Sequence, residues 1–147
     1  MAGRITLVAA FGGSLAAAAL AARATDRRPP ERPHPIDVVM IGAATHKLSR
    51  LLTKAKATSF LRAPFTELEE PCGSGEVEEK PRDVTGLRRA LGELLVCPYC
   101  MGQWVSAGFV AGLVLAPRPT RLVAASYSAQ SLADFLQLAF KAAEDRA

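Results

Sequence analysis

Three long stretches of this sequence are almost free of charge, and they dictate what the chain can fold into. Ile5 to Ala22 carries no charged residue, Leu94 to Pro117 carries none, and Leu122 to Phe140 carries only Asp134. By contrast, 17 of the 32 charged residues fall between Lys47 and Glu93. A soluble domain spreads charge over every element, because each shows a face to water. The segregation argues against a soluble globular domain, a disordered tail and a disulfide scaffold. At 147 residues there is room for one compact unit, and the pattern predicts an all-α integral membrane protein.

Three to four transmembrane helices and one polar cytoplasmic loop follow from the spans. Ile5 to Ala22 is about 27 Å long as a helix, enough for the hydrocarbon core. It reads as a retained anchor, with a cleaved signal peptide as the alternative. Arg23 to Pro35 is a Pro/Arg-rich linker, so residues 1–35 form one unit and 36–147 a membrane domain. Ile36 to Thr53 is apolar at first and then interrupted by His46, Lys47 and Arg50. It spans only if Asp37 sits at one interface and Lys47 and Arg50 reach the other, and otherwise lies in the interface as a half-buried helix.

Residues 54–93 read as a polar, solvated loop, with six Glu from Glu67 to Glu79 and a Gly73-Ser74-Gly75 run. Within its far end, Leu87, Leu91, Leu94 and Leu95 predict a short helix over Gly86 to Val96. Cys97 to Ala116 reads as the next span, Pro117 to Thr120 as a tight turn, and Arg121 to Ala142 as the last. Gly108 and Gly112 make a GxxxG step, which lets helix backbones approach closely.

Counting Lys and Arg sets the orientation. With the N-terminus inside and all four segments spanning, 12 fall inside and 6 outside. This predicts a multi-pass protein of the plasma membrane with both termini cytoplasmic. The net charge of +4 comes with no basic stripe interleaved with aromatics, so no nucleic-acid partner is expected. The expected partners are the lipid bilayer and a second copy or another membrane protein. No small-molecule substrate is identifiable.

Chemistry has few places to live. Cys97-Pro98-Tyr99-Cys100 puts two thiols at a helix N-terminus, where thiol pKa falls. A thioredoxin-like site follows a buried strand, whereas leucines at helical spacing precede this one. The alternative function is a thiol-redox or zinc-binding membrane protein that uses Cys97 and Cys100. A closed zinc site needs four ligands, which Cys72 and His46 would have to complete, and otherwise no cofactor is expected. The plainer reading packs Cys97, Cys100 and Trp104 on one interfacial face. Asp134 shares a helical face with Ser126, Gln130 and Gln137, and an acid inside a span needs a partner, for which Arg50 is the candidate. No Ser-His-Asp set, phosphate loop or zinc-protease motif is present, so the chain reads as non-enzymatic.

Three blocks together resemble a known family: Ala44-Thr45-His46-Lys47-Leu48-Ser49-Arg50-Leu51-Leu52, then Leu61-Arg62-Ala63-Pro64-Phe65, then Gly92-Glu93-Leu94-Leu95-Val96-Cys97-Pro98-Tyr99-Cys100-Met101-Gly102-Gln103-Trp104. They are similar to the domain of unknown function 1360 family of small bacterial membrane proteins, over about Ile36 to Phe140. The resemblance implies a membrane location and marks Arg50, Glu93, Cys97, Cys100 and Trp104 as signature positions. It implies no activity. The N-terminal helix and the Glu-rich insertion look like additions to the family pattern.

Overall fold

The computed structural model describes residues 1–73 and 75–146; Ser74 of the Gly73-Ser74-Gly75 run lies outside them, as does Ala147. Among the described residues six helices and one hairpin follow in order: α1 (Ala2–Ala24), α2 (Pro35–Thr53), α3 (Ser59–Arg62), β1 (Thr66–Pro71), β2 (Val77–Pro81), α4 (Gly86–Val96), α5 (Pro98–Leu115) and α6 (Pro117–Glu144). A single 3-10 turn, Lys56–Thr58, leads into α3.

This corrects the all-α expectation. The segment read as a solvated loop holds a two-stranded antiparallel sheet, with Thr66 opposite Pro81 and Pro71 opposite Val77. Register shifts between Leu68 and Glu70. Gly75 sits at the turn with φ +76°, a left-handed conformation that glycine adopts without steric cost. Along β2, Val77 and Glu79 point inward while Glu78 and Lys80 face out, the period of two that a strand imposes.

The expectation of three to four transmembrane helices is also overturned. By length and composition, two helices among the described residues could cross a membrane, α1 and α5. α2 falls short because Asp37, Lys47 and Arg50 interrupt it, and α6 because Gln130, Gln137, three serines and Asp134 lower the hydropathy of its otherwise uncharged stretch from Leu122 to Phe140. Pro117 to Thr120 is not a separate turn either. It forms the first turn of α6, where proline's missing N–H costs nothing.

Phe11 meets Trp104, and Ala22 and Val114 wall the same cleft further along, so α1 runs parallel to α5, while α4 crosses the start of α1 where Arg4 meets Glu93. Asp37 meets Arg121 and Lys47 meets Asp134, so α2 and α6 run parallel to each other. Ile41, Ala44, Phe109 and Ala124 form the small buried core where α2, α5 and α6 meet. One end of the bundle therefore carries the hairpin, α3, α4 and the Cys97 corner. The other carries the Pro/Arg linker and the α5–α6 turn.

Of the GxxxG pair, Gly112 alone makes a close approach. A Cβ there would lie 2.7 Å from Thr120 Oγ1 and 3.1 Å from its Cγ2, whereas one on Gly108 would meet nothing within 4 Å. Thr120 is β-branched and its hydroxyl donates to the Ala116 carbonyl at 2.8 Å, so it cannot swing away freely. Gly112→Ala should cost about 1–3 kcal/mol of detergent stability through overpacking. Gly108→Ala should be neutral or stabilising by up to about 1 kcal/mol. Equal effects in thermal unfolding would remove the close approach from the account.

Candidate functional site

The residues singled out from the sequence gather mainly at the hairpin end. There α2, α6 and the hairpin surround a polar cleft of about 550 Å³, with His46, Lys47, Arg50, Glu76, Asp134 and Gln137 among its walls. His46, Lys47 and Arg50 lie on the last turns of α2, a helix that Pro35 opens and that ends at Thr53. Asp134 and Gln137 come from α6, and Glu76 from the hairpin.

The charge pairing differs from the expected one. Arg50 does not meet Asp134. Its guanidinium forks onto Glu76, with Nε 3.1 Å from Oε1 and an NH2 nitrogen 2.6 Å from Oε2. Asp134 instead accepts from Lys47 Nζ at 2.6 Å. The physical reason is register. Ser128 Oγ reaches the Met40 carbonyl at 2.6 Å and Ser131 Oγ lies 3.3 Å from His46 Nδ1, which sets Asp134 beside Lys47. His46 also stacks on Phe135, ring centroids 5.8 Å apart. Ser126 and Gln130 are exposed and take no part.

A double-mutant cycle separates the two pairings. Asp134 is 44% exposed, so coupling between Lys47→Met and Asp134→Leu should be up to about 1 kcal/mol. Coupling between Arg50→Leu and Asp134→Leu should be absent. The reverse pattern in detergent stability would overturn the assignment.

Beneath the cleft lies a buried ion pair that sequence reasoning missed. Arg62 is fully buried, and Glu79 nearly so. Arg62 donates to both Glu79 oxygens at 2.9 Å, to the Leu52 carbonyl at 2.9 Å, to Thr58 Oγ1 at 2.8 Å and to the Ala55 carbonyl at 3.1 Å. Thr66 Oγ1 stands 2.7 Å from the same Glu79 carboxylate. One guanidinium thus ties the end of α2, the turn, α3 and β2 together, with the planar fork that a carboxylate matches. The signal available was Arg62 itself, inside the Leu61-Arg62-Ala63-Pro64-Phe65 block.

Glu93 joins α4 to α1. It accepts from Arg4 Nε at 2.9 Å and from Arg89 Nε at 3.3 Å. The hydrogen bond from Arg4 holds the Glu93 carboxyl below the usual carboxylate range against the opposing effect of desolvation, and Arg89 adds to it. Trp104 meets Phe11 edge-on at 5.1 Å, so this aromatic too fastens α1 to α5.

Cys97 is the N-cap of α5, and its sulfur accepts the Cys100 N–H at 3.2 Å. All three thiols are free, Cys72 and Cys100 exposed and Cys97 half-buried. Among the described residues no group of three or more His, Cys, Asp or Glu could hold a metal ion, so Cys72 and His46 do not come to the Cys97–Cys100 corner. At the opposite end Arg121 forks onto Asp37, Nε 2.9 Å from Oδ1 and an NH2 nitrogen 2.8 Å from Oδ2. The sequence reading set these two residues at helix ends without pairing them. What this arrangement does chemically is clamp elements to one another, because its charges satisfy each other.

Comparison with known proteins places residues 40–140 within the family described as protein of unknown function (DUF1360). Sporulation protein YjcA of Bacillus subtilis (strain 168) is 36% identical over 77 residues, covering 51% of this chain and 64% of that protein. The match therefore spans less than two thirds of the relative's length. No solved structure matches the chain.

Proposed function

The chain belongs to the DUF1360 family of proteins of unknown function, and on that premise we propose that it is a non-enzymatic membrane component. In this reading α1 and α5 are seated in the bilayer, and the hairpin end forms an ordered platform for a second copy or another membrane protein. One observation carries it. Only 6% of the most apolar window of α1 and 11% of that of α5 is buried inside the protein. A core helix of a soluble protein would bury most of such a window. Ile5, Val8, Leu20 and Val110 instead stand outward, more than half exposed, where lipid is the solvent that suits them.

Polar groups at the hairpin end support the platform role. Arg62–Glu79, Arg50–Glu76 and Lys54–Glu78 pin the hairpin, and the last pair closes at 2.6 Å. Basic residues concentrate at that end, which favours its placement on the cytoplasmic side. The capping bond of Cys97 favours a structural use of that thiol over a redox or zinc site. The name of the relative, a sporulation protein, supplies a first setting for a partner search.

Carbonate extraction of membranes tests the reading. The chain should stay in the pellet, and Cys97→Ser with Cys100→Ser should stay there too, because serine also accepts at an N-cap. Release of the unaltered protein into the supernatant would contradict it.

A further inference from the structure

We propose that the face of α5 between α1 and α2 binds one anionic two-chain phospholipid, held by Arg23 and Arg27. The proposal rests on the membrane reading above. Two apolar clefts, of about 550 and 530 Å³, flank α5. α1 walls the first with Phe11 and Leu15, and α2 walls the second with Val38 and Ile41. They share Pro29, Ser106, Val110 and Val114, so they straddle a single helix and open toward the same linker. Each volume lies within the usual range for a small-ligand pocket.

Charge says what fills them. Arg23 and Arg27 line the first cleft where the linker begins, and among the described residues neither enters an ion pair. Every acidic wall residue is accounted for, since Asp37 in the second cleft is already forked by Arg121. Two unpaired guanidinium groups above two apolar clefts complement one phosphate-bearing head above two acyl chains. A partner helix would fill the grooves but leave both arginines without a counter-charge. A second copy would bring like charge to like charge at this mouth.

The test uses the full chain, purified in detergent, stripped of lipid and returned to nanodiscs of phosphatidylglycerol, phosphatidylcholine or an equal mixture. Native mass spectrometry of the protein released from the mixture counts retained lipid. Phosphatidylglycerol should be retained over phosphatidylcholine, with each arginine contributing on the order of fivefold. Arg23→Gln with Arg27→Gln, both at exposed positions, should bring the ratio close to one while leaving the thermal midpoint of the lipid-stripped protein unchanged. Val110→Trp, filling the shared wall, should lower retention of both lipids. Glycerol phosphate, a head without chains, should displace nothing.

Equal retention of the two lipids, or a preference that survives the double arginine variant, would overturn the proposal. Displacement by glycerol phosphate would also overturn it, in favour of a free phosphate ligand. A chain that fails to sediment with membranes would overturn the membrane reading and this proposal with it, whereas a membrane-bound chain without lipid preference would overturn the proposal alone.

Discussion

Replacing Arg62 by methionine is expected to cost about 3–5 kcal/mol of stability, the largest loss of any single substitution considered, because it leaves the Glu79 carboxylate buried without its partner. The cost is not the net worth of the pair. A buried pair gains in Coulomb attraction roughly what it loses in desolvation, but half a pair keeps the loss alone. Glu79 would keep only the Thr66 hydroxyl, and the carbonyls of Leu52 and Ala55 would lose a donor each. Removing both charges, Arg62→Met with Glu79→Leu, should recover a large part of the loss, though not all, since the Leu52 carbonyl still lacks that donor and the Ala55 carbonyl keeps only Thr58. The exposed pair makes the contrast: Lys54→Met should cost about 0.2–1 kcal/mol. Denaturant unfolding in detergent separates these outcomes. A small effect of Arg62→Met would mean that the hairpin is not held as described.

Gly92→Ala should be the second large loss, about 1–3 kcal/mol, although alanine is the better helix former. A Cβ at Gly92 would stand 2.7 Å from the Phe65 carbonyl oxygen and 3.1 Å from Pro81 Cβ. That carbonyl cannot retreat, because it accepts the Arg82 N–H at 3.0 Å and so closes the base of the hairpin. α4 would have to lift off the sheet, and Glu93, the next residue, would lose its reach to Arg4. Gly42 offers the control. It lies in mid-α2 with nothing within 4 Å of an added Cβ, so Gly42→Ala should be neutral or stabilise by up to about 1 kcal/mol. If the two alanine variants melted alike, close packing of α4 on the hairpin would be ruled out.

Helix positions were legible where apolar periodicity was strong. Leu87, Leu91, Leu94 and Leu95 predict a helix over Gly86 to Val96, and α4 occupies those residues. The hairpin was not legible, because six Glu and a Gly-Ser-Gly run give the composition of a solvated segment. Its order comes from Arg62, which supplies one buried cation to an inward-facing Glu79 and so lets an acidic strand fold back. Composition averages over both faces of a strand; only the alternation Val77, Glu79 shows which carboxylate turns in.

The candidate cleft was half legible. The apolar surroundings of Asp134 show that it needs a cation, but choosing between Lys47 and Arg50 needs the register of α2 against α6. That register is set by Ser128 and Ser131, small residues with no sequence signal of their own. Spanning potential was overread in α2, where helix length was weighed above Asp37, Lys47 and Arg50, and in α6, where it was weighed above Asp134, Gln130, Gln137 and three serines. Arg121 and Asp37 look like interface residues in the sequence, yet they answer each other across two helices.

The central claim is that the outward faces of α1 and α5 lie in a membrane while the hairpin end stands in water. Paired thiol labelling tests it most directly. In a Cys97→Ser, Cys100→Ser background, Cys72, exposed in the hairpin, should react with a membrane-impermeant maleimide in opened membranes. With Cys72→Ser added and Val8→Cys introduced on the face of α1, where Val8 is 72% exposed, the thiol should stay unreactive until detergent dissolves the membrane. Equal labelling of both positions before detergent is added would contradict the account.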